Sequence, residues 1–277
     1  MGQYVQVSGK QMHIYSYGQG SVTLVLLSGS GVLFPQLEYM ALTQPLARDY
    51  HVVGVEKLGY GRSDLSDQER DVDLAVEEYR SALREAGVGA QVVLAAHSMG
   101  FLEALRWGQL YPSEVLGIIG IDPATPECYK DFDIEGAVAG LVALSEDEAL
   151  CRETAAALMD QIMQKQPFAP SEQMTLEQLA LERLANENWI SEAKNLRADL
   201  VKVQEDGPYL QIPMLFFVSN GEGTTLEKQV WIHHALEYLK HIKTVRYELY
   251  DYPHNLYQFA GKEMAEQARG FIAEYIG

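Results

Sequence analysis

Apolar residues in the first half of the chain fall into short runs separated by stretches of helical periodicity. Residues 4–7 and 11–17 read as a hairpin across Ser8-Gly9-Lys10, and 23–27 is a β-branched and leucine run suited to a buried strand. Helical spacing over 36–48, 74–86 and 99–111 alternates with apolar runs at 51–55, 91–96 and 115–121. Strand and helix taking turns implies parallel strands joined by crossover helices, with the sheet covered on both faces. From about residue 123 to 212 the strand signal disappears. Apolar positions there keep helical spacing, as at Leu150, Ala157, Leu158 and Ile162, then Leu176, Leu179 and Leu184. The stretch predicts three or four helices, broken around 167–170 and again near Gly207-Pro208. Alternation resumes with a strand at 214–218, a helix over 226–239, a strand over 244–250 and a final helix over 262–275. The pattern thus predicts an α/β chain with a mostly parallel eight-stranded sheet flanked by helices. Residues 1–122 and 213–277 would form its core and 123–212 a helical insertion between two strands.

One strand ends in a chemically suggestive way. Val92-Val93-Leu94-Ala95-Ala96-His97-Ser98-Met99-Gly100 runs straight into a serine with a small residue two before it and a glycine two after. A serine on the tight turn between a buried strand and the next helix projects its hydroxyl from the sheet, and small neighbours leave room for the turn. The plainer reading is a helix N-terminus with Ser98 near its cap. A catalytic Ser98 requires a histidine base and a group that orients the base, because a serine hydroxyl is a poor nucleophile near neutral pH.

Of the seven histidines, His254 is placed best, in the turn Tyr252-Pro253-His254-Asn255 directly after the last strand. His97, beside the serine, reads as a packed or hydrogen-bonded neighbour. The orienting acid is Asp122 or Glu222. Asp122 ends the apolar strand in Gly120-Ile121-Asp122-Pro123-Ala124 and so emerges at the C-terminal edge of the sheet, where ligand sites lie, and it is preferred. Glu222, in Ser219-Asn220-Gly221-Glu222-Gly223-Thr224 after the following strand, is the rival. Oxyanion donors are expected from the backbone N–H groups of Ser30, in the loop Ser28-Gly29-Ser30-Gly31, and of Met99. That loop fits neither G-x-x-x-x-G-K-[ST] nor G-x-G-x-x-G, so phosphate binding is disfavoured.

With these residues assembled, the chain resembles the α/β-hydrolase superfamily over nearly its whole length. The resemblance rests on the loop at Ser28 to Gly31, the turn Gly59-Tyr60-Gly61-Arg62-Ser63, the serine turn at Ser98 and a late His254, all in the right order. Ser28 stands where members often carry histidine, Ala96 where they carry glycine, and Thr224 where many carry the acid. The last departure favours Asp122, which some lipases of the superfamily match in a Gly-x-Asp-Pro-Ala context. Dehalogenases and epoxide hydrolases on this fold use an aspartate nucleophile, so the resemblance implies a serine hydrolase with an acyl-enzyme, foremost a carboxylesterase acting on a small or medium apolar ester. Thioesterase, amidase and C–C bond hydrolase activities are the alternatives among enzymes. A ligand-sensing or partner-binding protein with slow turnover is the alternative of another class. The resemblance implies that 123–212 is a helical cap (lid) over the site, and Leu33 and Phe34, after the oxyanion loop, are expected to shape an apolar substrate pocket together with it.

Composition narrows the partners. A net charge of −18, from 39 acidic and 21 basic side chains, argues against nucleic acid or an anionic membrane. Seventeen of the acids lie in 123–212, against seven basic residues. Cys128 and Cys151 suggest neither a disulfide framework nor a metal site, and no cofactor is implied. The N-terminal residues lack the pattern of a signal peptide, and no apolar run approaches the ~18 residues of a membrane span. A cytoplasmic protein acting on a small molecule is expected, with its oligomeric state open.

Overall fold

A computed structural model describes residues 2–165 and 168–277. The hairpin β1 (Gly2–Val7) and β2 (Lys10–Tyr17) leads into β3 (Thr23–Leu27), α1 (Pro35–Glu38), α2 (Met40–Leu46), β4 (His51–Val55), α3 (Val72–Glu85), β5 (Val92–His97), α4 (Gly100–Leu110) and β6 (Val115–Ile121). Four helices follow, α5 (Ile134–Glu146), α6 (Glu148–Met163), α7 (Pro170–Arg183) and α8 (Glu187–Glu205). The chain closes with β7 (Met214–Val218), α9 (Lys228–Leu239), β8 (Val245–Leu249) and α10 (Tyr257–Tyr275).

The strands form one eight-stranded sheet in the order β1-β2-β4-β3-β5-β6-β7-β8. β1 and β2 are antiparallel additions at one edge, and the remaining pairs are parallel. β5 is buried at every position, which its unbroken apolar run requires because helices cover both faces. On one face Val76, Tyr79, Phe101, Trp107 and Tyr238 bring α3, α4 and α9 onto the sheet. On the other, Leu42, Leu46, Met264 and Phe271 do the same for α2 and α10.

Several boundaries differ from expectation. The helix expected over 36–48 is two, because the chain leaves helical geometry at Tyr39 (ψ 8°). The last helix begins at Tyr257, where Tyr257 and Ala260 already join the core. In α6 the buried face is Ala155, Met159 and Ile162, whereas Leu150 is 46% exposed and Ala157 is exposed as well. The helix is rotated to present the i, i+4, i+7 set to Leu176 and Ala180 of α7. Of the break expected around 167–170, Pro167 lies outside the described residues.

α8 and the residues just before it hydrogen-bond to the loop between β4 and α3. Arg183 donates to the carbonyls of Gly61 (3.2 Å) and Ser63 (3.1 Å), Asn186 to Gly59 O (2.8 Å), and Asn188 exchanges two 2.8 Å bonds with the backbone of Ser66. The turn they grip is itself held from below. Ser63 Oγ donates to Glu56 O at 2.6 Å and accepts the His13 N–H at 2.9 Å.

Candidate active site

The turn after β5 carries Ser98 at φ 52°, a left-handed conformation that lifts its side chain off the sheet. Two glycines make room for it. A Cβ at Gly29 would stand 2.8 Å from Ser98 Cβ, and one at Gly100 would stand 2.8 Å from Leu27 O. Ala96, where glycine is usual, is fully buried between Leu27 and Gly120 of the neighbouring strands.

Ser98 Oγ lies 2.8 Å from His254 Nε2, and His254 Nδ1 lies 2.5 Å from Asp122 Oδ2. Asp122 follows β6 at φ 47°, which turns its fully buried carboxylate back toward the histidine. Its other oxygen accepts the Ser219 N–H (2.7 Å) and the Trp231 indole N–H (2.8 Å). An ionised carboxylate with no proton of its own satisfies all three donors, so the histidine is held with Nδ1–H toward Asp122 and its Nε2 lone pair toward Ser98. Glu222 is exposed, and it meets His254 only through its backbone carbonyl, which accepts the His254 N–H at 2.7 Å. Thr224 bonds to Gly221 O at 2.7 Å.

His97 is buried and braces this arrangement from behind. Tyr39 O–H donates to His97 Nδ1 (2.8 Å), which leaves Nε2–H facing His254 O at 3.4 Å. Tyr39 Oη in turn accepts the Gly29 N–H at 3.4 Å, so one chain of bonds joins the glycine loop, the serine turn and the histidine turn. Burial, reinforced by the neighbouring His254, holds the His97 pKa well below the ordinary imidazole range and keeps the ring neutral.

The amides of Ser30 and Met99 have no acceptor among the described residues, and both residues line the same cleft as Ser98. The Trp189 indole of α8 donates to Ser30 Oγ at 2.6 Å. Beside it Glu192 accepts from Tyr60 Oη at 2.6 Å and from Lys57, which also reaches Glu103 at 3.0 Å. Burial works against the Lys57 ammonium, but the two carboxylates outweigh it and its pKa rises. The loop that presents the Ser30 amide is therefore fastened to α8.

The cleft has a volume of about 260 Å³ and opens to solvent, and its walls include Ala124, Tyr129, Phe132, Leu141, Leu196 and Trp231. Cys128 also faces it, with burial pushing the thiol up to about 12. Leu33 and Phe34 do not shape this pocket. Both are fully buried against Ala155, Met159, Ile162 and Leu176, because the chain enters α1 with these side chains turned toward α6 and α7. Trp231, Tyr39 and Trp189 had no sequence signal as site residues beyond their places on apolar helix faces. No group of three or more His, Cys, Asp or Glu among the described residues could hold a metal ion. Among them, too, no helix is long and apolar enough to cross a membrane.

The sheet order, the serine turn after its central strand and the helices between β6 and β7 are those of the α/β-hydrolase fold. Solved structures agree. A variant of a candidate epoxide hydrolase from Pseudomonas aeruginosa superposes with a TM-score of 0.77 at 17% identity, over 99% of this chain and 96% of that one. The enol-lactonase from Burkholderia xenovorans LB400 gives 0.70 at 14% identity, over 98% and 100%. The chain is also 36% identical over 135 residues to the uncharacterized protein YbdG of Bacillus subtilis and 25% identical over 111 residues to YqjL of the same organism. Those alignments span 49% and 40% of this chain, and only 42% and 43% of the length of those relatives. No protein-family model matches the chain.

Proposed function

We propose that the protein is a serine hydrolase that works through an acyl-enzyme, with a neutral, apolar carboxylic ester as its substrate. The reading rests on one observation above all: Ser98, His254 and Asp122 are joined by hydrogen bonds of 2.8 and 2.5 Å at the floor of an apolar cleft. His254 Nε2 takes the Ser98 proton as Oγ attacks the ester carbonyl carbon, and Asp122 stabilises the imidazolium that forms. The amides of Ser30 and Met99 receive the negative charge that develops on the carbonyl oxygen. Collapse breaks the bond to the alcohol, which leaves with the proton from His254. Water then repeats the sequence on the acyl-enzyme, releasing the acid and restoring Ser98.

In this reading the segment 123–212 is a cap that supplies much of the apolar wall, and the substrate is small enough to lie between it and the core. Serine as nucleophile sets the chemistry apart from routes that need an aspartate at this turn, which bears on the epoxide-hydrolase likeness of the fold. A fluorophosphonate should label one serine per chain, and the label should be lost in Ser98→Ala. p-Nitrophenyl esters of increasing acyl length should turn over repeatedly, with a preference for short or medium chains. A folded protein that is neither labelled nor active on these esters would refute the proposal, and labelling with at most one turnover would favour a ligand-binding role.

A further inference from the structure

β8 is the outer strand of the sheet on the side opposite β1, and its free edge is unusually suited to meeting a copy of itself. Thr244 O and Tyr250 N–H both bond to β7, so the even-numbered residues of the strand turn their backbone groups inward. By the alternation of a β-strand, Val245, Tyr247 and Leu249 direct their N–H and C=O groups outward. Tyr247 and Leu249 are 48% and 52% exposed. Val245 packs on the core beside Leu239 and Ile242, which places this odd-numbered set on the α9 face. Arg246 reaches Glu274 (3.5 Å) and Gln267 (3.4 Å) of α10, which places Arg246 and Glu248 on the other face.

We propose that β8 pairs antiparallel with β8 of a second copy of this chain about a two-fold axis at Tyr247, continuing the sheet through both copies. In that register the outward backbone groups form reciprocal hydrogen-bonded pairs, Tyr247 with Tyr247 and Val245 with Leu249. Arg246 of each copy then faces Glu248 of the other. The strand sequence Val245-Arg246-Tyr247-Glu248-Leu249 is thus charge-complementary to its own reverse. Shifting the pairing by two residues in one direction sets Arg246 against Arg246, and in the other sets Glu248 against Glu248. Like charges directly opposite destabilise a ladder, so the charges select a single register. β1, the other edge, carries no charged residue and offers no such selection.

Sedimentation velocity on the full chain tests this over about 1 to 100 µM, a range that brackets ordinary self-association. The wild type should sediment as a dimer. R246E and E248R should each weaken dimerisation at least about tenfold, because each places like charges opposite one another twice per interface. An equimolar mixture of the two variants should recover the dimer, since one copy then presents two acids and the other two bases. The double reversal R246E/E248R should again pair with itself, and circular dichroism of each variant checks that it is folded. A wild type that stays monomeric throughout, single variants that dimerise as the wild type does, or a mixture that fails to recover would overturn the proposal.

Discussion

Asp122 is surrounded by donors on every side, and this decides what its replacement would do. Ser219 N–H and the Trp231 indole occupy one oxygen while His254 occupies the other. An asparagine there must aim its NH₂ group at another donor, or force His254 into the tautomer whose Nε2 carries a proton and cannot accept one from Ser98. Asp122→Asn should therefore lower kcat on a nitrophenyl ester by roughly 10³–10⁴ with little change in KM. Glu222→Gln, at an exposed side chain, should stay within about twofold of the wild type. The reverse result, with only the Glu222 variant crippled, would remove Asp122 from the acid role. The positions of Ser98 and Asp122 were legible because each directly follows a strand whose apolar run marks the edge of the sheet, and His254 because it lies in a Pro-containing turn between the last strand and the last helix. Trp231 and Trp189 were not, since their partners lie 109 and 159 residues away in the chain and nothing local records the meeting. Leu33 and Phe34 show the same limit from the other side. They were correctly apolar, but the direction in which they turn is set by α6 and α7, which a local reading of the loop does not see.

At the level of elements, the buried parallel strands were legible almost to the residue because each leaves a continuous apolar run, whereas helix faces were read less well. α8 illustrates why, for it combines six buried positions with a row of polar side chains that bind loop backbone instead of solvent. One of its buried positions is Asp199, packed at the start of α3 near Asp71 and Asp73, with one carboxylate oxygen left without a hydrogen bond among the described residues. Burial raises this carboxyl from its usual 3.8 to about 7, the two aspartates adding to the rise while a backbone N–H and Lys202 oppose it. The folded protein therefore holds this proton more tightly than the unfolded chain does. The group's contribution to stability is intact below its usual value and is progressively lost as pH climbs to about 7. Asp199→Asn, which cannot ionise, should be more stable than the wild type by an amount that grows between about pH 4 and 7 and levels off above, reaching roughly 4 kcal/mol. Urea melts at about pH 4.5, 6 and 8 would show this, and a difference independent of pH would mean that Asp199 ionises normally in the fold.

Across the whole molecule, charge and cavity point the same way. The chain carries a net charge of −18, and its segment between β6 and β7 is rich in acids, yet none of the residues lining the cleft is a lysine, arginine, aspartate or glutamate. A substrate carboxylate entering the cleft would lose its hydration among Tyr129, Phe132, Leu141 and Leu196 with no cation to replace it. It would also approach through a field of its own sign, although mobile ions screen that part beyond roughly 8 Å at physiological ionic strength. The two effects separate experimentally, because salt weakens the long-range repulsion and leaves the desolvation penalty standing. p-Nitrophenyl butyrate and the mono-p-nitrophenyl ester of succinate have acyl chains of equal length and differ at the far end in a methyl against a carboxylate. The succinate ester should show kcat/KM lower by about 100-fold or more, corresponding to ~2.7 kcal/mol. Raising the salt from about 0.05 to 0.5 M should close that gap by less than about threefold. A gap that closes entirely in salt would assign discrimination to the acidic surface, and equal rates in low salt would mean that the acyl group does not occupy the apolar cleft.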